Sequence, residues 1–144
     1  MNTLFQRTIT NELHSLESLM NAITNFLEDQ AVDAQAVYRI NLAMEEMITN
    51  IIKYGYDDYD THEINVTVEV LEFEIVAVIE DTGREFNPLE QKMEVKDESL
   101  EEKEVGGLGL HLIKQMLDAM TYRREERKNI LEIRMRRQLP ESAA

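Results

Sequence analysis

Three short stretches carry residue types that could do chemistry together. The first is MEEMITN, residues 44–50, where Glu46 and Asn50 stand four positions apart. An α-helix turns by about 100° per residue, so these two would share a face, while Glu45 would point about 100° away from Glu46. The apolar stripe of such a helix centres on Met44, Met47 and Ile51. Asn50 then falls at the border of the core, where a polar side chain needs a specific partner. Oxygens of Asn and Glu suit Mg²⁺, which keeps several waters and takes few protein ligands alongside phosphates. A solvated glutamate and a locally satisfied asparagine would leave the same pattern. The second stretch is EDTGREFNP, residues 80–88. Asp81, at the exit of a strand, can accept a hydrogen bond from an exocyclic amine such as that of adenine. Gly83 lets a ring approach the backbone or supplies a turn; a plain Asp-Thr-Gly turn is the alternative. The third is VGGLGLHLIKQMLD, residues 105–118, with Gly106, Gly107 and Gly109 around the start of a helix. Free N–H groups at a helix start, with no Cβ in the way, cradle phosphate. No strand leads into these glycines, so they are not a dinucleotide fingerprint, and GxxxxGK[ST] is absent, so they are not a P-loop.

The elements that must position these residues follow from hydrophobic period. Residues 3–9 predict a strand. Asn11 offers a cap for a helix carrying Leu13, Leu16, Met20, Ile23 and Leu27 at helical spacing. A second helix starts near Asp33, with Val37, Ile40, Met44, Met47, Ile48 and Ile51 as its stripe, and Gly55 with DDYDTHE ends it. Ile64, Val66, Val68 and Val70 alternate as a half-buried strand, and FEIVAVIED suits a central one. The charged stretch from Gly83 to Gly107 has little periodicity; loops of that length are usually functional, and a lid is expected over about 87–106. A third helix is predicted from about Leu108 to Met120. The strands MTYRREE and NILEIRMRR follow around a turn at Arg127–Lys128, and a tail over about 138–144 should fray. Adjacent strand pairs imply hairpins. The predicted fold is α+β, a two-layer sandwich of a mostly antiparallel mixed sheet with helices on one face.

The 144 residues suit a single domain, 1–144. With 29 acidic and 15 basic residues, the formal charge of -14 argues against binding to nucleic acid or anionic lipid. Cysteine is absent, which excludes disulfides and thiolate metal sites, and the three histidines, His14, His62 and His111, form no ligand pair. No apolar run approaches the roughly 18–20 residues of a membrane span. MNTLFQRTITNELHSLE lacks the pattern of a secretory signal, so a cytoplasmic location is expected.

In this order and spacing the three stretches resemble the N, G1 and G2 boxes of the GHKL ATPase superfamily, whose ATP site has the Bergerat fold. EEMITNIIKYGY, DTGREFNP and GGLGLHLIKQMLD look most like the anti-sigma factor/serine-protein kinases, and the resemblance covers nearly the whole chain. It implies ATP and Mg²⁺ as ligands, with Asn50 on the metal and Glu46 as general base or as positioner of the attacking hydroxyl. Asp81 would read the adenine amine beside Gly83. Gly106, Gly107, Leu108, Gly109 and Leu110 would form the phosphate and pocket region, with Leu110 and Ile48 as adenine walls. The implied function is phosphorylation of a serine on an antagonist protein within a partner-switching module. A sigma factor is a further implied partner, and the resemblance also allows a homodimer. An ATP-sensing module without transfer and an orphan histidine-kinase catalytic domain stay open. For the latter, His14 in LHSLESL has no acidic residue directly after it. Tyr54 stands where the family often has His, and ERKNILEIRMR stands where it often has a Gly-Thr pair, so Asn129 or nothing replaces that pair. The expected lid is acidic (Glu94, Asp97, Glu98, Glu101, Glu102, Glu104), with Lys92, Lys96 and Lys103 as its basic residues.

Overall fold

The structure, a computed structural model, describes residues 3–90 and 107–139. Strand β1 (Leu4–Thr10) leads into α1 (Leu13–Asp29) and α2 (Ala34–Tyr54). The hairpin β2 (Glu63–Val70) and β3 (Glu74–Asp81) follows, then a short 3₁₀ turn (Pro88–Glu90), α3 (Gly107–Met116), and the hairpin β4 (Ala119–Glu125) and β5 (Lys128–Arg136). The strands form one five-stranded sheet in the order β1-β2-β3-β5-β4. A mostly antiparallel sheet is expected from the hairpins; among the described residues every pairing is antiparallel.

Alternation decides which face is covered. Ile64, Val66, Val68 and Val70 of β2 are buried, as are Ile75, Ala77, Ile79 and Asp81 of β3 and Asn129, Leu131, Ile133 and Met135 of β5. These positions register with one another across the ladder, for example Val66 with Ile79 and Ala77 with Ile133. They form one sheet face, against which α1 and α2 bury Leu19, Ile23, Leu27, Ile40, Met44 and Ile48. Each such side chain contributes roughly 1.5–3 kcal/mol of burial, so the stripe of α2 is pinned in rotation. That rotation carries its polar edge, Glu46 and Asn50, toward α3 and the exit of β3.

Several boundaries differ from the sequence expectation. Asn11 does not cap α1: the N-cap is Glu12, without a side-chain bond, and Asn11 Oδ1 instead accepts the His62 N–H at 2.8 Å, tying β1 to the start of β2. Asp33 does cap α2, accepting from the Ala36 N–H at 3.1 Å. Helix α3 ends at Met116 rather than near Met120, because Met120 already pairs with Ile133 in the sheet. The last turn is Glu126–Arg127, not Arg127–Lys128, and both residues have positive φ (48° and 66°), the geometry of a two-residue hairpin turn. Most of the expected lid and of the tail lies outside the described residues.

Candidate active site

Helix α2, the β3 exit, α3 and the last hairpin enclose a cavity of about 330 Å³. From α2 come Met47, Asn50, Ile51 and Tyr54; β3 ends on Asp81, and Arg84, Phe86 and Pro88 follow it; α3 supplies Leu110, and the last hairpin supplies Tyr122, Asn129 and Leu131. The walls are largely apolar with a few convergent polar groups, the usual make-up of a small-molecule site.

Asn50 is the polar group on the helical side. Its Nδ2 is buried and has no hydrogen-bond partner among the described residues. A buried amide without a partner costs on the order of 1–3 kcal/mol, and this one lines the cavity, where a bound polar ligand would satisfy it. Glu46, one turn earlier, is half-buried and Glu45 is exposed, as the helical phase predicts. The Glu46 carboxylate lies against Gly109 of α3. A Cβ built on that glycine would stand 2.6 Å from Glu46 Oε1 and 2.8 Å from its Cδ. Only a glycine there lets the acid occupy this position without displacement.

Asp81 faces Asn50's cavity from the sheet, 5% exposed. Its Oδ1 accepts from the Gly83 N–H at 2.8 Å and from Asn129 Nδ2 at 3.0 Å. Burial pushes this carboxyl above its ordinary pKa, opposed by the bonds from Asn129 and the Gly83 N–H and by the charge of Arg124. The absent Cβ of Gly83 is used by the chain itself. A Cβ there would meet the Gly55 carbonyl oxygen at 2.7 Å, so the glycine lets the β3 exit close onto the end of α2. The Arg84 N–H donates to the same Gly55 carbonyl at 2.8 Å, and the Arg84 side chain pairs with Asp57.

The structure therefore brings Asn50, Asp81 and Leu110 into one cavity, with Glu46 and Gly109 in contact beside it. Gly107 and Leu108 form the first turn of α3, and Gly106 lies outside the described residues. Ile48 is not a cavity wall: it is fully buried in the core, and Met47 and Ile51, one position before it and three after, face the cavity instead. Tyr122 and Arg124 were not singled out from sequence. Asn129 was noted only as a stand-in for a Gly-Thr pair, although Asn129, Leu131, Ile133 and Met135 alternate, and that period already places the asparagine on the buried face.

Donors fitting a metal are few. Among the described residues no group of three or more His, Cys, Asp or Glu could hold an ion. Asn50 fits the case of Mg²⁺ bound by one protein oxygen and the phosphates of a nucleotide, since its amide can turn to present Oδ1.

The fold is thus an open antiparallel sheet with helices on one face, and its cavity lies between the second helix, the strand-exit Asp-Thr-Gly and a glycine-led helix. Residues 9–135 match the family model of the histidine kinase-like ATPase domain, and the chain belongs to that family. Serine-protein kinase RsbW of Staphylococcus aureus strains JH9 and Newman is 35% identical over 89 residues, covering 58% of this chain and 56% of those proteins. The chain thus matches only about half the length of these relatives. A crystal structure of the RsbU and RsbW domains of a Mycobacterium tuberculosis protein superposes with a TM-score of 0.67 at 11% identity, covering 96% of this chain and 34% of that one. That likeness speaks for the fold. Among the described residues no helix is long and apolar enough to cross a membrane.

Proposed function

We propose that this chain is an ATP-dependent serine-protein kinase that acts as an anti-sigma regulator, binding a sigma factor and phosphorylating an antagonist protein on serine. The observation that carries this is the convergence on one cavity edge of an unpartnered buried amide, Asn50, and a half-buried carboxylate, Glu46, one helical turn apart. The likeness to serine-protein kinase RsbW supports the choice of serine as acceptor.

In this reading adenine enters between Met47, Ile51, Leu110 and Leu131, with its amine on Asp81. The phosphates extend toward the N-terminus of α3, where the unpaired backbone N–H groups of a helix start favour an anion. Mg²⁺, held by Asn50, would neutralise developing charge on the phosphates. Glu46 takes the proton of the incoming serine hydroxyl. The serine Oγ forms the new bond to the γ-phosphorus, and the bond from that phosphorus to ADP breaks, with ADP keeping the electron pair. Most of the catalysis in phosphoryl transfer is positioning and charge stabilisation, and a general base adds typically 10²–10⁴-fold.

The test is calorimetry with ATP and Mg²⁺ on wild type and Asn50→Ala, followed by phosphate transfer from labelled ATP to purified candidate antagonists encoded beside the gene. Binding that weakens in Asn50→Ala, with label appearing on a serine, supports the proposal. ATP binding with no transfer to any of these proteins leaves an ATP-sensing module, and no ATP binding removes both.

A further inference from the structure

Asp81 and Asn129 are the buried polar side chains among the described residues, and they stand directly opposite each other in the β3–β5 register. The Asn129 amide is held from both ends. Its Oδ1 accepts from the Tyr122 hydroxyl at 2.5 Å and from Arg124 Nη1 at 2.9 Å. Its Nδ2 donates to Asp81 Oδ1 at 3.0 Å and to the Arg84 carbonyl at 2.8 Å. Donors on one side and acceptors on the other permit one orientation of the amide. Arg124 is fixed in turn by donating to the Gly83 carbonyl at 2.9 Å.

The consequence falls on Asp81. Its Oδ1 already faces two N–H donors, from Gly83 and Asn129. An oxygen so placed has no acceptor to receive a proton of its own, so a proton taken up by this carboxyl goes to Oδ2. Among the described residues Oδ2 has no hydrogen-bond partner, and Asp81 lines the cavity. Ionised, Oδ2 can only accept; protonated, it would donate. The titratable and charged groups around it are Tyr122 and Arg124 of β4, Arg84 at the β3 exit, and Tyr56 after α2, whose phenol feels the Asp81 charge.

We propose that Asn129 is a positioning residue for base selection: clamped by Tyr122 and Arg124, it fills Asp81 Oδ1 and leaves Oδ2 as an obligate acceptor, so that the cavity takes 6-aminopurine nucleotides and refuses 6-oxopurine ones. This rests on the nucleotide-binding function proposed above. A 6-amino group donates to Oδ2, whereas a 6-oxo group turns a lone pair against it.

The experiment is calorimetric titration of ATP and ITP into wild type, Asp81→Asn and Asn129→Val at pH 6 and pH 8. Wild type should prefer ATP by about 10- to 150-fold at both pH values, the worth of one charge-assisted hydrogen bond. In Asp81→Asn the Gly83 N–H and Asn129 hold the new carbonyl oxygen, which turns the amide NH₂ into the cavity, and the preference should reverse toward ITP. Asn129→Val leaves the carboxyl one donor short, so it protonates more readily. Its ATP-to-ITP ratio should fall several-fold below wild type and be smaller at pH 6 than at pH 8. Valine suits a strand; if this variant does not fold, the near-isosteric Asn129→Leu, read in the same way, decides in its place. A merely structural asparagine would weaken both nucleotides alike, and an unchanged, pH-independent ratio in Asn129→Val overturns the proposal. Equal ATP and ITP affinity in wild type, or no reversal in Asp81→Asn, does the same. Wild type that binds neither nucleotide instead overturns the ATP site itself.

Discussion

Under the kinase function proposed above, replacing Gly109 by alanine should separate catalysis from binding and from stability. The added Cβ would lie 2.6 Å from Glu46 Oε1, and ordinary contact begins at 3.4 Å, so the carboxylate must retreat by 0.8 Å. The obstacle is the end of a flexible side chain, so Glu46 moves rather than the two helices. A misplacement of about 1 Å in a reacting group costs on the order of 10²-fold in rate, or about 2.7 kcal/mol of barrier. The backbone N–H of residue 109 survives the change, so ATP affinity should hold. Alanine also lowers the chain entropy lost on folding and suits a helix better than glycine, by about 0.5–1 kcal/mol. The expected variant is therefore as stable as wild type or more so, binds ATP normally, and transfers phosphate about 100-fold more slowly. Calorimetry, a thermal melt, and steady-state transfer to the antagonist give the three readings. A loss of kcat with unchanged KM for ATP is the signature of a displaced Glu46. If kcat stays at the wild-type value while Glu46→Gln is slow, the contact with Gly109 does not hold the base. If ATP affinity collapses instead, α3 has moved and the cavity wall at Leu110 with it.

Glu46→Gln should keep ATP binding and slow transfer by about 10²–10⁴-fold, whereas Glu45→Gln, exposed on the neighbouring phase of α2, should be silent; the opposite pattern in a transfer assay refutes the assignment. Asp81→Asn should melt higher than wild type at neutral pH in the absence of nucleotide. Burial raises the Asp81 pKa in the folded state, so its contribution to stability is present below the ordinary carboxylate pKa and lost as pH rises through the folded value. The advantage of the variant in a melt should therefore shrink as pH falls through the carboxylate range, and a constant difference would contradict it. Ala31, which closes α1 with φ of 58°, should gain about 0.5–1 kcal/mol on replacement by glycine, the left-handed cost less the entropy of glycine, measured by urea denaturation.

Much of the fold was legible because it rests on period. Ile64, Val66, Val68 and Val70 could bury one face only as a strand, and the stripe through Val37, Ile40, Met44, Met47 and Ile48 could do so only as a helix. What was not legible depends on backbone geometry that side chains do not announce. Glu126 and Arg127 adopt positive φ without Asn or Gly to mark the turn. Asn11 looked like a cap because capping residues and strand-tying residues are the same types, and only the His62 contact tells them apart.

The site shows a similar division. Glu46, Asn50, Asp81 and the glycines were visible because each stands in a short local motif, although the contacts of Glu46 with Gly109 and of Gly83 with Gly55 cross the fold and were not. Asn129 acts across the sheet on Asp81, 48 positions away, and such a pairing is invisible until the register of β3 and β5 is known. Yet its burial was foreseeable, and a buried asparagine on an otherwise apolar strand face must have partners. Among the described residues several buried polar atoms lack partners, Asn41 Oδ1 and Arg137 Nε included, but the unpartnered Asn50 amide and the desolvated Asp81 carboxyl both belong to residues that line the cavity. A fold selected for stability alone would replace either with an apolar residue. Both instead face the same cavity, from opposite walls, and a ligand with a donating edge at one end and polar groups at the other would relieve both. An adenine nucleotide is such a ligand, so the cost of keeping these two polar groups is itself an argument for the nucleotide site proposed above.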